Sequence, residues 1–138
     1  MRSRLSLPLA FAGSLAILSN TVAQDRARDS AVAAKLYRIV DGKVDARTYN
    51  GFRRYHAGCN HCHGQDGMGS TIGPALVDRL PDLETFRRIV RDGRSNGAAI
   101  MQGFANDPNV APHIEDIYAY LQARADGALD RGRPMKAD

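Results

Sequence analysis

Only two of the 138 residues are cysteine, and they stand three positions apart, Cys59 and Cys62. So few thiols exclude a disulfide-stapled mini-domain, and a bridge between these two would close a loop too small to stabilise much. Charge of one sign is also scarce. The formal net charge is +4, which falls by two if the N-terminal Arg2 and Arg4 are removed. That is too weak a balance for a nucleic-acid surface. Internal repeats and low-complexity tracts are missing. Beyond the N-terminus no apolar run is long enough to span a bilayer, so no stable membrane insertion is expected.

The N-terminus itself has the parts of a secretory signal. Arg2 and Arg4 precede an apolar run from Leu5 to Leu18, and the small residues Ser19 to Ala23 follow. That run is short and is interrupted by Pro8 and Gly13, which suits a leader of residues 1–23 cut after Ala23. An uncleaved anchor is the alternative. Residues 24–138 then form one small exported domain. It divides into an extension over 24–44, a core over 45–125 and a polar tail over 126–138.

The cysteines lie in Cys59-Asn60-His61-Cys62-His63. A zinc site needs four ligands, and His61 and His63 flank Cys62 too tightly to share one tetrahedron with it. A redox dithiol should open a helix in a βαβ pattern, which the sequence does not offer. Cys-x-x-Cys-His in an exported chain is most simply a c-type haem attachment site. Cys59 and Cys62 would bond the haem vinyl groups, and His63 would be the proximal iron ligand. Pro74, in the glycine-rich loop after the motif, could accept the Nδ1 proton of His63 and so fix its tautomer.

The remaining pattern predicts a mainly α domain wrapped around the cofactor. Asp41-Gly42 between β-branched residues predicts a short hairpin within 35–44. A first helix is expected from Asp45 to about Ala57, with Gly51, Tyr55 and Cys59 on one face; the glycine would let another backbone approach. A second spans about 82–92, stopped by Gly93. The last opens near Pro112 and carries Ile114, Ile117, Tyr118 and Leu121 inward, with Tyr120 at the stripe's margin. Arg87, Arg91 and Arg94 fall close to one face, within reach of Glu84, either as a solvated surface or as a docking patch.

The sixth iron ligand decides whether such a site passes electrons or binds small molecules. Candidates are Met68, Met101, Met135, His56, His61 and His113. His61 is tied between the cysteines, Met68 follows His63 too closely, Met135 is in the tail, and His113 opens a helix. Met101, in the apolar and flexible stretch "GAAIMQGF", is favoured; a core-filling methionine is the alternative.

Taken together, Cys59 to His63, Gly73-Pro74-Ala75-Leu76, the Gly51/Tyr55 face, Met101 and the "IYAYL" helix resemble a class I c-type cytochrome over residues 45 to 125. The stretches "YNGFRRYHAGCNHCHGQDGMGSTIGPAL", "DPNV" and "DIYAYLQARADGALDRGRP" are similar to periplasmic cytochromes that take electrons from PQQ-dependent methanol and related alcohol dehydrogenases. The resemblance implies a class I fold of three to four helices around one covalent haem c. It also implies iron held by His63 and Met101, and a periplasmic location. It further implies an electron carrier, not an enzyme, with such a dehydrogenase as donor and a downstream cytochrome or oxidase as acceptor. Many relatives place proline after the ligand methionine; Gln102 stands here and leaves that loop less rigid. The rival functions are a haem protein binding or reducing a small ligand at an open distal site, and a cytochrome serving another donor.

Overall fold

Local turn chemistry sets the first element of the computed structural model, which describes residues 34–97 and 99–138. Asp41 and Gly42 adopt positive φ angles of 51° and 74°, a turn whose twist matches that of paired strands. It joins β1 (Ile39–Val40) to β2 (Lys43–Val44) in antiparallel register, Ile39 opposite Val44 and Val40 opposite Lys43. The expected leader, residues 1–23, and residues 24–33 of the extension lie outside the described residues.

The first helix starts where a cap residue allows it. Asp45 accepts hydrogen bonds from the Thr48 amide and hydroxyl, both at 3.0 Å, and α1 runs from Ala46 to Gly58. Burial alone would raise the pKa of Asp45, but these donors and the Arg38 amide hold it below the usual carboxylate value. A single turn, α2 (Asn60–His63), follows directly. Asp82 caps α3 (Leu83–Asp92) through the Thr85 amide at 2.9 Å, and Gly93, with φ 81°, ends it. The long stretch between α2 and α3 contains one tight 3-10 turn, Gln65–Gly67, where an unbroken loop was expected.

The stretch expected to be flexible and apolar, 97–104, contributes the second strand of another hairpin. β3 (Arg94–Asn96) pairs antiparallel with β4 (Ala99–Met101), Arg94 opposite Met101. Its neck is closed by two glycines: a Cβ at Gly93 would lie 2.6 Å from the Met101 carbonyl oxygen, and one at Gly103 would lie 2.5 Å from that of Arg91. The Phe104 and Ala105 amides then bond the Val90 and Arg91 carbonyls at 2.8 and 3.1 Å, fixing the exit from the hairpin. α4 (Ile114–Ala125) begins two residues beyond Pro112, which belongs to a preceding 3-10 turn, Ala111–His113.

The core lies between α1, α3 and α4, with Phe52, Tyr55, Phe86, Val90, Ile117 and Leu121 buried. α1 crosses α4 so closely that a Cβ on Gly51 would stand 1.8 Å from the Asp116 carbonyl oxygen and 3.0 Å from the Tyr120 Cβ. Only glycine fits there. Tyr120, expected at the margin of the apolar stripe, is wholly buried, because its hydroxyl finds a partner inside. Residues 126–138, read as a polar tail, return across the domain. Leu129 is buried, and β5 (Met135–Lys136) adds to β2 in parallel, Lys43 beside Met135. None of the helices among the described residues is long and apolar enough to cross a membrane.

Gly51→Ala is expected to cost the upper part of the range of about 1–3 kcal/mol usual for overpacking, because backbone must move to admit the methyl group. Gly127→Ala, with φ +66° and open space around its Cβ, should cost only about 1 kcal/mol of backbone strain. Denaturant titration of the two variants checks the order; equal losses would mean that the helix crossing can relax.

Candidate cofactor site

The junction of α1 and α2 brings the expected site together. Cys59 caps α1, its amide bonded to the Tyr55 carbonyl at 2.8 Å; its own carbonyl accepts the amides of Cys62 at 3.2 Å and His63 at 3.0 Å. One helical turn therefore presents two thiols and one imidazole. Both cysteines are free, Cys59 half-buried and Cys62 exposed. Burial, and then the neighbouring Cys62, pushes the Cys59 thiol up to about 11.

His63 is nearly enclosed, 9% exposed. Its Nδ1 lies 3.0 Å from the Pro74 carbonyl oxygen. A carbonyl can only accept, so Nδ1 carries the proton and the neutral ring keeps its lone pair on Nε2. The loop that supplies Pro74 is wrapped closely around the ring. A Cβ at Gly73 would stand 2.7 Å from the Cys62 carbonyl oxygen and 3.2 Å from His63 Nδ1, and one at Gly64 would be 2.0 Å from the Gly69 carbonyl oxygen. Ser70 adds a hydroxyl bond to the Cys62 carbonyl, and the Gly69 amide bonds the His63 carbonyl at 2.7 Å. Below the ligand turn, the Tyr55 hydroxyl donates to the carbonyls of His63 at 3.2 Å and Gly64 at 2.6 Å. Burial drives its pKa well above the ordinary tyrosine value, so it stays a donor.

The six candidates for the sixth ligand separate by their surroundings. His56 Nδ1 lies 2.9 Å from the Phe52 carbonyl, and its Nε2 faces Asp66. His113 stands 3.2 Å from the Asn50 amide nitrogen and 3.5 Å from Asp116. His61 is exposed within the ligand turn. Met68 is 45% exposed, with its sulfur 3.8 Å from the Arg124 guanidinium. Met135 is exposed on β5. Met101, at the end of β4, is half-buried and packs against the core cluster.

Sequence reasoning did not single out Asp66. It is wholly buried with φ +60°, between Gly64 and Gly67, which also take positive φ. Its Oδ1 accepts the Tyr120 hydroxyl at 3.2 Å, and its Oδ2 accepts the Gly132 amide at 3.2 Å and Arg131 Nε at 3.4 Å. Burial would raise its pKa, but the Gly132 amide, Tyr120, Arg131 and His56 outweigh that and hold it below the usual carboxylate range. The available signal was an acid set among glycines in an otherwise uncharged loop.

The arginines of α3 are not equivalent. Arg87 is engaged by Glu84 at 3.3 Å and by Glu115, whereas Arg88, Arg91 and Arg94 are exposed. Arg47 pairs with Asp116 at 3.5 Å on the neighbouring surface.

Tyr55→Phe should leave two carbonyls of the ligand turn without their hydroxyl donor, a loss of about 1–3 kcal/mol. Thermal unfolding of the holoprotein checks the loss, and an unchanged melting temperature would show that the Tyr55 bonds are dispensable.

Comparison with known proteins agrees with this geometry. A family described as cytochrome c oxidase, cbb3-type, subunit III matches residues 46–121. Cytochrome c-553I of Paracoccus denitrificans is 45% identical over 109 residues, covering 74% of this chain but 48% of its own length. The present chain thus spans about half of that cytochrome. Cytochrome c-555 of Methylococcus capsulatus is 37% identical over 109 residues, which are 77% of this chain and 83% of that one. The crystal structure of the c-type cytochrome XoxG from Methylobacterium extorquens AM1 superposes with a TM-score of 0.69 at 47% identity, covering 74% of this chain and 67% of that one. On this fold, this ligand turn and these likenesses, the chain belongs to the c-type cytochromes, which hold haem c covalently and carry electrons.

Proposed function

We propose that this mono-haem cytochrome works in the periplasm, accepting single electrons from a PQQ-dependent methanol or related alcohol dehydrogenase and passing them to a downstream cytochrome or terminal oxidase. The observation that carries the site assignment is the His63 ring, with Nδ1 tied to the Pro74 carbonyl at 3.0 Å and the lone pair kept on Nε2, in one turn with two free thiols. What supports the choice of donor is the similarity of residues 49–76 and 116–134 to cytochromes that serve such dehydrogenases, together with the likeness to XoxG. The leader pattern of residues 1–23, two arginines followed by an apolar run and small residues, supports export.

In this reading Cys59 and Cys62 hold the haem by thioether bonds, His63 binds the iron, and Met101 completes its coordination. When bound, the haem supplies a one-electron couple. The protein's part is to keep that couple rigid and dry. The Pro74 carbonyl fixes the His63 tautomer and raises its basicity. Tyr55 anchors the backbone of the ligand turn, and the closed neck at Gly93 and Gly103 fixes the hairpin that carries Met101. With His63 and Met101 both held firmly, the iron would have no open position for a substrate, which favours electron transfer over ligand chemistry.

Cys59→Ala or Cys62→Ala, made with a haem-ligation system, should leave little or no covalently loaded protein, read as haem retained by the denatured polypeptide. Met101→Ala should load normally, lose the methionine-to-iron charge-transfer band, show a lower potential and bind carbon monoxide when reduced. A wild-type spectrum in Met101→Ala, with a changed one in Met68→Ala, would move the sixth ligand to Met68.

A PQQ-dependent alcohol dehydrogenase turning over its alcohol should reduce the cytochrome rapidly without an added dye. Rising salt should slow the reaction, and Arg91→Glu with Arg94→Glu should slow it at low salt, since both arginines are exposed and near the hairpin. A normal rate in the double variant would free this surface of a docking role. Failure with every quinoprotein dehydrogenase of the source organism would sink the choice of donor.

A further inference from the structure

Asp66 is not among the residues assigned to hold the haem, yet it is wholly buried while its four neighbours reach it from three separate parts of the chain. Taking a carboxylate out of water costs several kcal/mol unless partners and geometry offset it. His56 Nε2 of α1 lies 3.3 Å away, and three hydrogen-bond partners are there: Tyr120 of α4 at 3.2 Å, the Gly132 amide at 3.2 Å and Arg131 at 3.4 Å. The last two belong to the C-terminal segment, and their bonds to Asp66 pin that segment over the loop after His63. Two residues further on, Pro134 is buried and β5 begins.

The same carboxylate is also linked to the ligand turn. It lies three residues after His63. The Tyr120 ring that donates to it packs 5.6 Å from the Tyr55 ring, whose hydroxyl holds the His63 and Gly64 carbonyls. A negative charge enclosed in this part of the domain is poorly screened, whereas the Arg131 cation that pairs with it is 62% exposed and is screened by water. An iron–porphyrin core is neutral when ferrous and carries one positive charge when ferric, so the carboxylate stabilises the ferric form. If the C-terminal segment lifts away, Asp66 is hydrated and that interaction is screened. Because the linkage is reciprocal, the oxidised iron must favour the closed segment by as much as closure favours oxidation.

We propose that Asp66 couples closure of the C-terminal segment to the oxidation state of the iron, lowering the reduction potential while residues 131–132 enclose it and holding those residues more firmly in the ferric protein than in the ferrous. This rests on His63 as the proximal ligand. Absence of covalent haem in the wild-type protein would remove that foundation, whereas a normally loaded protein that fails the measurements below removes the coupling alone.

The first measurement needs no substitution. Amide hydrogen exchange at Gly132, followed by NMR in the holoprotein, should be slower in the ferric than in the ferrous form; equal rates overturn the proposal. Asp66→Asn should raise the reduction potential and abolish the redox difference at Gly132. Tyr120→Phe, which keeps the charge and removes one donor, should shift the potential by clearly less. If Asp66→Asn lowers stability but leaves the potential where it was, or if Tyr120→Phe raises the potential just as far, the carboxylate is a packing element and the coupling is wrong. Should Asp66→Asn fail to load, the wild-type exchange comparison still decides the matter.

Discussion

Gly51 meets the backbone of α4 at the carbonyl of Asp116, and the rest of the molecule is arranged around that contact. The missing side chain lets α1 and α4 approach to a distance that no other residue permits, since a Cβ there would fall 1.8 Å from the carbonyl oxygen. One turn further along each helix, Tyr55 and Tyr120 are brought ring to ring in a space without solvent. Their hydroxyls diverge, Tyr55 towards the ligand turn and Tyr120 towards Asp66. A single small residue thus sets the position of both the cofactor attachment point and the buried charge behind it.

The two faces of the site are secured by different means. On the proximal side the loop of residues 64–76 is held by side chains and backbone together: the Pro74 carbonyl on His63, Ser70 on Cys62, the Gly69 amide on the His63 carbonyl. Four positive-φ residues, Gly64, Asp66, Gly67 and Gly69, let it curl tightly enough to make these bonds. Met101, the ligand proposed for the other face, sits on a two-stranded hairpin held mainly at its neck, by the glycines at 93 and 103 and the amides of Phe104 and Ala105. The imidazole is fixed atom by atom, and the thioether is fixed by where its strand begins and ends.

Much of this was legible in the chain. Helix boundaries followed Asp45, Asp82 and Gly93, because caps are local and depend on a few residues. The first hairpin followed from Asp41-Gly42 for the same reason. The Gly51 face and its partner helix could be read because a glycine costs stability in the middle of a helix, and close backbone approach offsets that cost. Three features were not legible. The β3–β4 hairpin is made of Arg94, Ser95 and Asn96 opposite a short apolar run, with no strand pattern strong enough to outweigh its glycines. The return of residues 126–138 rests on two buried apolar residues in a polar stretch, Leu129 and Pro134, on the bonds of Arg131 and Gly132 to Asp66, and on pairing with a strand near the other end of the domain. Asp66 looked like an ordinary loop acid, because its four partners come together only in the folded molecule.

The neck at Gly93 and Gly103 separates two kinds of constraint. It closes through backbone atoms, Met101 carbonyl against Gly93 and Arg91 carbonyl against Gly103, so it makes no demand on the exposed side chains in between. Residues 94–102 are in that sense a cassette. Substitutions at its exposed positions, Arg94, Ser95, Asn96 and Ile100, would change the outline and charge this hairpin offers to a partner while the neck itself stays closed.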